Sequence, residues 1–174
     1  MIDEIFEILK YTIPSLVVFV VAFFIMKKFL DNEYRKLQYE LKKGNMKTVV
    51  PIRLQAYERS TMFLERISMD NLIKRITKPN MTSKQLHLAL ISTIRTEYEH
   101  NLSQQIYMSN DGWEAIKKAK EETLKVVHMS MAQIGNKGSA MDLTTTIFTN
   151  MEALRNTPSQ IAISTLKKEV KYLF

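Results

Sequence analysis

The sequence predicts an all-α protein in which a single N-terminal transmembrane helix precedes a small cytoplasmic helical bundle. Three observations predict it. Gly and Pro number only four each among 174 residues, so turns are few, and the abundant Leu, Ile, Met, Lys and Glu suit helices. Thr12–Met26, TIPSLVVFVVAFFIM, is a run of 15 residues without a charge. Beyond it, apolar residues recur every three or four positions and nowhere alternate as a strand requires. The expected division is a short extracytoplasmic stub at 1–7, a transmembrane helix at 8–28, a basic juxtamembrane helix and linker at 29–48, and a helical domain at 49–174.

The span comes first. Pro14, Leu16, Val17, Val18, Phe19, Val20, Val21, Phe23, Phe24 and Ile25 form its body. A helix crossing hydrocarbon needs about 20 mostly apolar residues. The run reaches that length when Lys10, Lys27 and Lys28 extend their ammonium groups to the interfaces. Pro14, near one end, is tolerated in a bilayer helix. A buried core helix would show a polar face, which Val17–Met26 lacks. A cleavable signal would begin basic, whereas Asp3, Glu4 and Glu7 lead here. After residue 26 the chain carries 24 basic and 15 acidic residues. Positive flanks stay in the cytoplasm, so the expected topology is single-pass with the N-terminus outside.

The next helix carries Phe29, Leu30, Tyr34, Leu37 and Leu41, ending at Lys42, Lys43 and Gly44, and residues 44–50 read as a linker. Pro51 fits the first turn of a further helix bearing Leu54, Tyr57, Thr61 and Leu64, with Ala56, Phe63 and Ile67 beside them. Asp70 is expected to cap a short helix that Pro79 ends. Thr82-Ser-Lys-Gln85 is a capping box, in which hydroxyl and amide each satisfy a free backbone N–H. The helix after it bears Leu86, Leu90, Ile91, Ile94, Tyr98, Leu102 and Ile106. Ser109 or Asn110 caps a helix carrying Trp113, Ile116, Leu124, Val127, Met131 and Ile134, and Gly135 ends it. Ser139 with Asp142 opens another, bearing Leu143, Ile147, Met151 and Leu154. Thr157-Pro-Ser-Gln160 starts the last, whose stripe is Ile163, Leu166, Val170 and Leu173. Short connections favour antiparallel neighbours, hence a bundle.

Chemistry is sparse. Cysteine is absent, which excludes disulfides, thiolate metal sites and a Cys nucleophile. Glu97-Tyr-Glu-His100 places a carboxylate and an imidazole on one helix face, but a di-iron site needs a second such pair and two more glutamates. His87 and His128 follow Lys84 and Lys125 at that spacing. Gly135-Asn-Lys-Gly138 has the Gly-x-x-Gly form without the strands of an RNA-binding KH domain. No nucleophile elbow or triad order appears. No enzyme activity, cofactor, metal or small-molecule substrate is expected.

Two binding surfaces are expected. Lys27–Lys78 holds 13 Lys or Arg against 6 Asp or Glu. Its membrane-near members Lys27, Lys28, Arg35, Lys36, Lys42 and Lys43 suit anionic headgroups. Nucleic acid is the weaker alternative, because the charge is spread over several helices. Gln104, Gln105, Tyr107, Met108 and Trp113, at a helix end and the following turn, are candidates for contact with a protein partner or a second copy. The competing reading makes Trp113 a core anchor.

The N-terminal anchor, PIRLQAYERSTMFLERI at Pro51–Ile67 and TEYEHNLSQQIYMSNDGWEAIKKAKEE at Thr96–Glu122 together resemble a group of small, uncharacterised membrane-anchored proteins of Bacteroidota bacteria. The resemblance implies a bacterial inner membrane and carries no functional residues. The layout is also similar to the peripheral stalk b subunit of ATP synthase, in architecture alone, since Pro51, Pro79 and Pro158 are expected to break the long helix of that family. The function expected is a non-enzymatic accessory or scaffold subunit that presents a helical interaction domain at the cytoplasmic face of the membrane.

Overall fold

The computed structural model describes residues 2–135 and 138–173, with the side chains of 2–7, Asn45 and Leu173 left aside. Helix α1 is Ile2–Arg66, α2 Met69–Ile76, α3 Ser83–His100, α4 Asn110–Ile134, α5 Ala140–Glu152 and α6 Pro158–Leu173, with a 3-10 segment at Leu102–Tyr107. No strand occurs among the described residues, so the chain is all-α. It divides into two units, Met1–Val49 and Val50–Phe174.

In the first unit every described side chain from Ile8 to Val49 is exposed. By length and composition, this part of α1 is long and apolar enough to cross a membrane. The expected linker at 44–50 is helical instead, and Pro51 does not break the chain. A helix usually stops at glycine because glycine takes a positive φ. Gly135 does so and Gly44 does not. Pro51 removes one backbone donor from within α1, and the boundary between the units falls beside it.

The second unit is built around α4, against which α3, α5 and α6 all pack. Phe63, Leu64 and Ile67 of α1, Leu72 of α2, Leu86, Leu90 and Ile94 of α3, Ile116 and Val127 of α4, Leu143 and Ile147 of α5 and Leu166 of α6 are buried together. Leu54, expected on the buried stripe, is exposed; Ala56, Tyr57 and Ser60 are buried.

Local caps place the helix starts. Thr82 and Ser139 both form capping boxes, with Gln85 and Asp142. These two starts lie side by side: Ser83 N–H donates to Gly138 O at 3.1 Å and Ala140 N–H to Met81 O at 3.1 Å. A Cβ on Gly138 would stand 2.2 Å from Ile134 Cγ2, so a larger residue there would force the Ile134 side chain to move. The Ser139 backbone N–H holds the Asp142 carboxyl below the usual range. Thr157 and Gln160 exchange the same reciprocal bonds at the start of α6. Asn136 and Lys137, within the Gly-x-x-Gly segment, lie outside the described residues.

Two boundaries differ from expectation. Asp70 does not cap α2; Ser68 stands at the cap without a side-chain bond to the helix, because its hydroxyl donates backward to Glu65 O at 2.8 Å. α3 stops at His100 rather than continuing through Leu102 and Ile106. Asn101 Nδ2 donates to Glu97 O at 2.8 Å, a side-chain bond to the last helical turn of the kind that competes with continued helix. Leu102 and Ile106 are therefore exposed.

Candidate functional site

The proposed partner segment separates into two groups. Gln104, Met108 and Trp113 are buried, which corrects the expectation that they form an exposed contact surface; Gln105 and Tyr107 are exposed. The reason is the 3-10 turn, which folds the chain back after α3. Trp113 stacks on Tyr98 with ring centres 5.6 Å apart, and Tyr98 meets Phe63 at 6.0 Å. Lys120 Nζ lies 4.3 Å from the Tyr98 ring centre. Met108 Sδ accepts from Ser60 Oγ at 3.2 Å. Arg53 Nε donates to Tyr107 O at 3.1 Å and ties the turn to α1.

Next to this turn, three distant parts of the chain share one carboxylate. Tyr57 Oη donates to Glu169 Oε2 at 3.0 Å. The Ser109 hydroxyl donates to Glu169 Oε1 and accepts from Gly112 N–H at 2.9 Å. Burial, then the bond to Glu169, pushes the Tyr57 phenol up, while the Ser109 backbone works against them. A Cβ on Gly112 would stand 2.5 Å from Glu169 Oε2, so the carboxylate approaches only over glycine. The triplet has the residue types of acid–base chemistry, but Tyr57 is 2% exposed and Ser109 is committed to capping α4. Its groups satisfy one another, and what the arrangement does is lock α1 and α6 onto the start of α4.

A second polar cluster is open. A cleft of about 410 Å³ is lined by Arg59, Met62, Phe63, Arg66, Glu97, His100 and Asn101. The Glu97 side chain, 13% exposed, receives Arg66 Nε at 3.1 Å and Arg75 Nη2 at 3.3 Å. The Glu97–His100 pair is thus occupied by guanidinium groups on its carboxylate side. Among the described residues no three His, Cys, Asp or Glu side chains gather as a metal-holding group.

His87 and His128 meet between α3 and α4, with Nε2 and Nδ1 3.2 Å apart. Their positions are 41 residues apart, so no local spacing reveals the pair. Burial first, and the charge of His128 second, hold the His87 imidazole below its ordinary value of 6.5. The unfolded chain therefore takes up a proton that the folded one resists. The stability linked to the neutral His87 is full above pH 6.5 and declines as pH falls from there through the lower folded value. Urea melts at pH 7.5 and 5.5 should show this loss in the native protein, and a smaller one in His87→Gln.

The basic flank Lys27, Lys28, Arg35, Lys36, Lys42 and Lys43 is exposed throughout. Lys36 pairs with Glu33 at 3.2 Å, a surface pair worth at most about 1 kcal/mol. No curated protein and no solved structure matches the chain. Residues 3–173 match the model of a family of unknown function, DUF7935, and the chain belongs to that family.

Proposed function

We propose that this protein is a non-enzymatic accessory or scaffold subunit of a bacterial inner membrane, held by one span with its N-terminus outside, and offering its helical domain to a protein partner in the cytoplasm. The observation that carries this reading is the apolar run of α1, whose side chains from Ile8 to Val49 are exposed wherever described. Leaving Phe19, Phe23, Phe24 and Ile25 in water forfeits about 25 cal/mol per Å² of apolar surface, and lipid removes that cost. The lysines that follow support the orientation.

The test is photo-cross-linking in native membranes from Gln105 and Tyr107, the exposed members of the candidate segment. A discrete adduct with another protein, recovered repeatedly, is the expected result. Recovery of uncross-linked protein alone from both positions, and from probes on α5 and α6, counts against a scaffold role. The second reading, binding of anionic lipid through Lys27, Lys28, Arg35, Lys36, Lys42 and Lys43, rests on their exposure. It would add about 1 kcal/mol per residue close to the surface.

A further inference from the structure

We infer that the cleft between α1 and the end of α3 binds a phosphate group, with Arg59 and Arg66 as its ligands. The inference is independent of the anchoring reading, since Arg59, Arg66, Glu97, His100 and Asn101 all belong to the unit Val50–Phe174.

The argument is one of charge and donor accounting. Arg59 and Arg66 are seven residues apart on α1, two helical turns, so both lie on one face. Met62 and Phe63 form the apolar part of the lining between them. Arg59 and Arg66 line the cleft with the mostly buried Glu97 carboxylate, and Arg75 pairs with that carboxylate from outside the lining, so three guanidinium charges are set against one carboxylate. Arg75 is committed: its Nη2 reaches both Glu97 Oε1 at 3.3 Å and the Arg66 carbonyl at 3.4 Å. Arg66 pairs with Glu97 through Nε at 3.1 Å and makes no side-chain hydrogen bond among the described residues, so its five-donor guanidinium keeps N–H groups for a second anion. Arg59 makes no ion pair or side-chain hydrogen bond among the described residues. Glu97 therefore steadies Arg66 without neutralising the cleft.

Two forked guanidinium groups suit an oxyanion that can take paired N–H bonds. The C-terminal end of α3 opposes an anion with about half a charge, less than the excess from the arginines. A volume of about 410 Å³ admits a phosphate together with the small group that carries it. The same chemistry is offered by a free phosphate ester and by a phospholipid headgroup.

Full-length protein in nanodiscs of phosphatidylcholine should be titrated with sodium phosphate and with glycerol phosphate by calorimetry at constant ionic strength. Saturable binding is expected, weakened about tenfold or more in Arg59→Gln, as loss of a charge-assisted contact implies. Arg59→Lys should recover part of it. Arg59 makes no ion pair or side-chain hydrogen bond among the described residues, so the melting temperature of Arg59→Gln should equal that of the native chain. Lys167→Gln, exposed on α6, should bind as the native chain does. Repeating the titration in discs containing phosphatidylglycerol separates the sources. Weaker apparent binding there assigns the site to headgroups, and unchanged binding assigns it to a soluble phosphate. Absence of saturable binding in phosphatidylcholine discs, or equal binding by native protein and Arg59→Gln, overturns the inference.

Discussion

Trp113→Ala should strongly destabilise the helical domain rather than merely release a partner. The indole is 8% exposed and closes a column of rings that runs from Phe63 of α1 through Tyr98 of α3 to the first turn of α4. Removing a buried aromatic to alanine costs about 3–5 kcal/mol, against a total stability of roughly 5–15 kcal/mol for a domain. The loss also uncovers the face of Tyr98, whose other neighbours are Phe63 and the Lys120 ammonium. Circular-dichroism melts of the full chain in neutral detergent measure this. The comparison is Tyr107→Ala, an exposed position in the same segment, which should leave the melting temperature unchanged. A native-like melt for Trp113→Ala, with loss of a cross-linked partner, would return the indole to an interface.

The second large effect concerns the proposed anchor. Val20→Arg with Phe23→Arg places two charges in the middle of the apolar run. Each costs about 2.5–3.5 kcal/mol at the centre of an inserting helix, so the pair should largely abolish insertion. The protein would then leave the membrane fraction on washing with alkaline carbonate, while Tyr39→Arg, beyond the run, should stay. Native protein that washed off as readily as the double variant would remove both the anchor and the proposed address. Should the span fail and phosphate binding persist, the cleft would still stand, because its residues lie in the other unit.

What could be read in advance and what could not divide along one physical line. Capping at Thr82, Ser109, Ser139 and Thr157 joins groups three residues apart, so order in the chain already brings them together. The apolar run is likewise a property of consecutive residues. Pro51 shows where local signals become ambiguous: it suits the first turn of a new helix, but here it lies within a continuing one. Gly44 takes no positive φ to end it.

Amino-acid order by itself determined the all-α class, most of the helix starts and the candidate membrane segment, since each depends on spacing along a single helix. Tertiary structure alone decided which way Trp113, Met108 and Gln104 face, that Glu169 joins Tyr57 across 112 residues, and that Arg59 and Arg66 share a cleft with Glu97. Such choices depend on which helix packs where, and that follows from the best collective burial of all the apolar stripes at once, a quantity no short window of sequence contains.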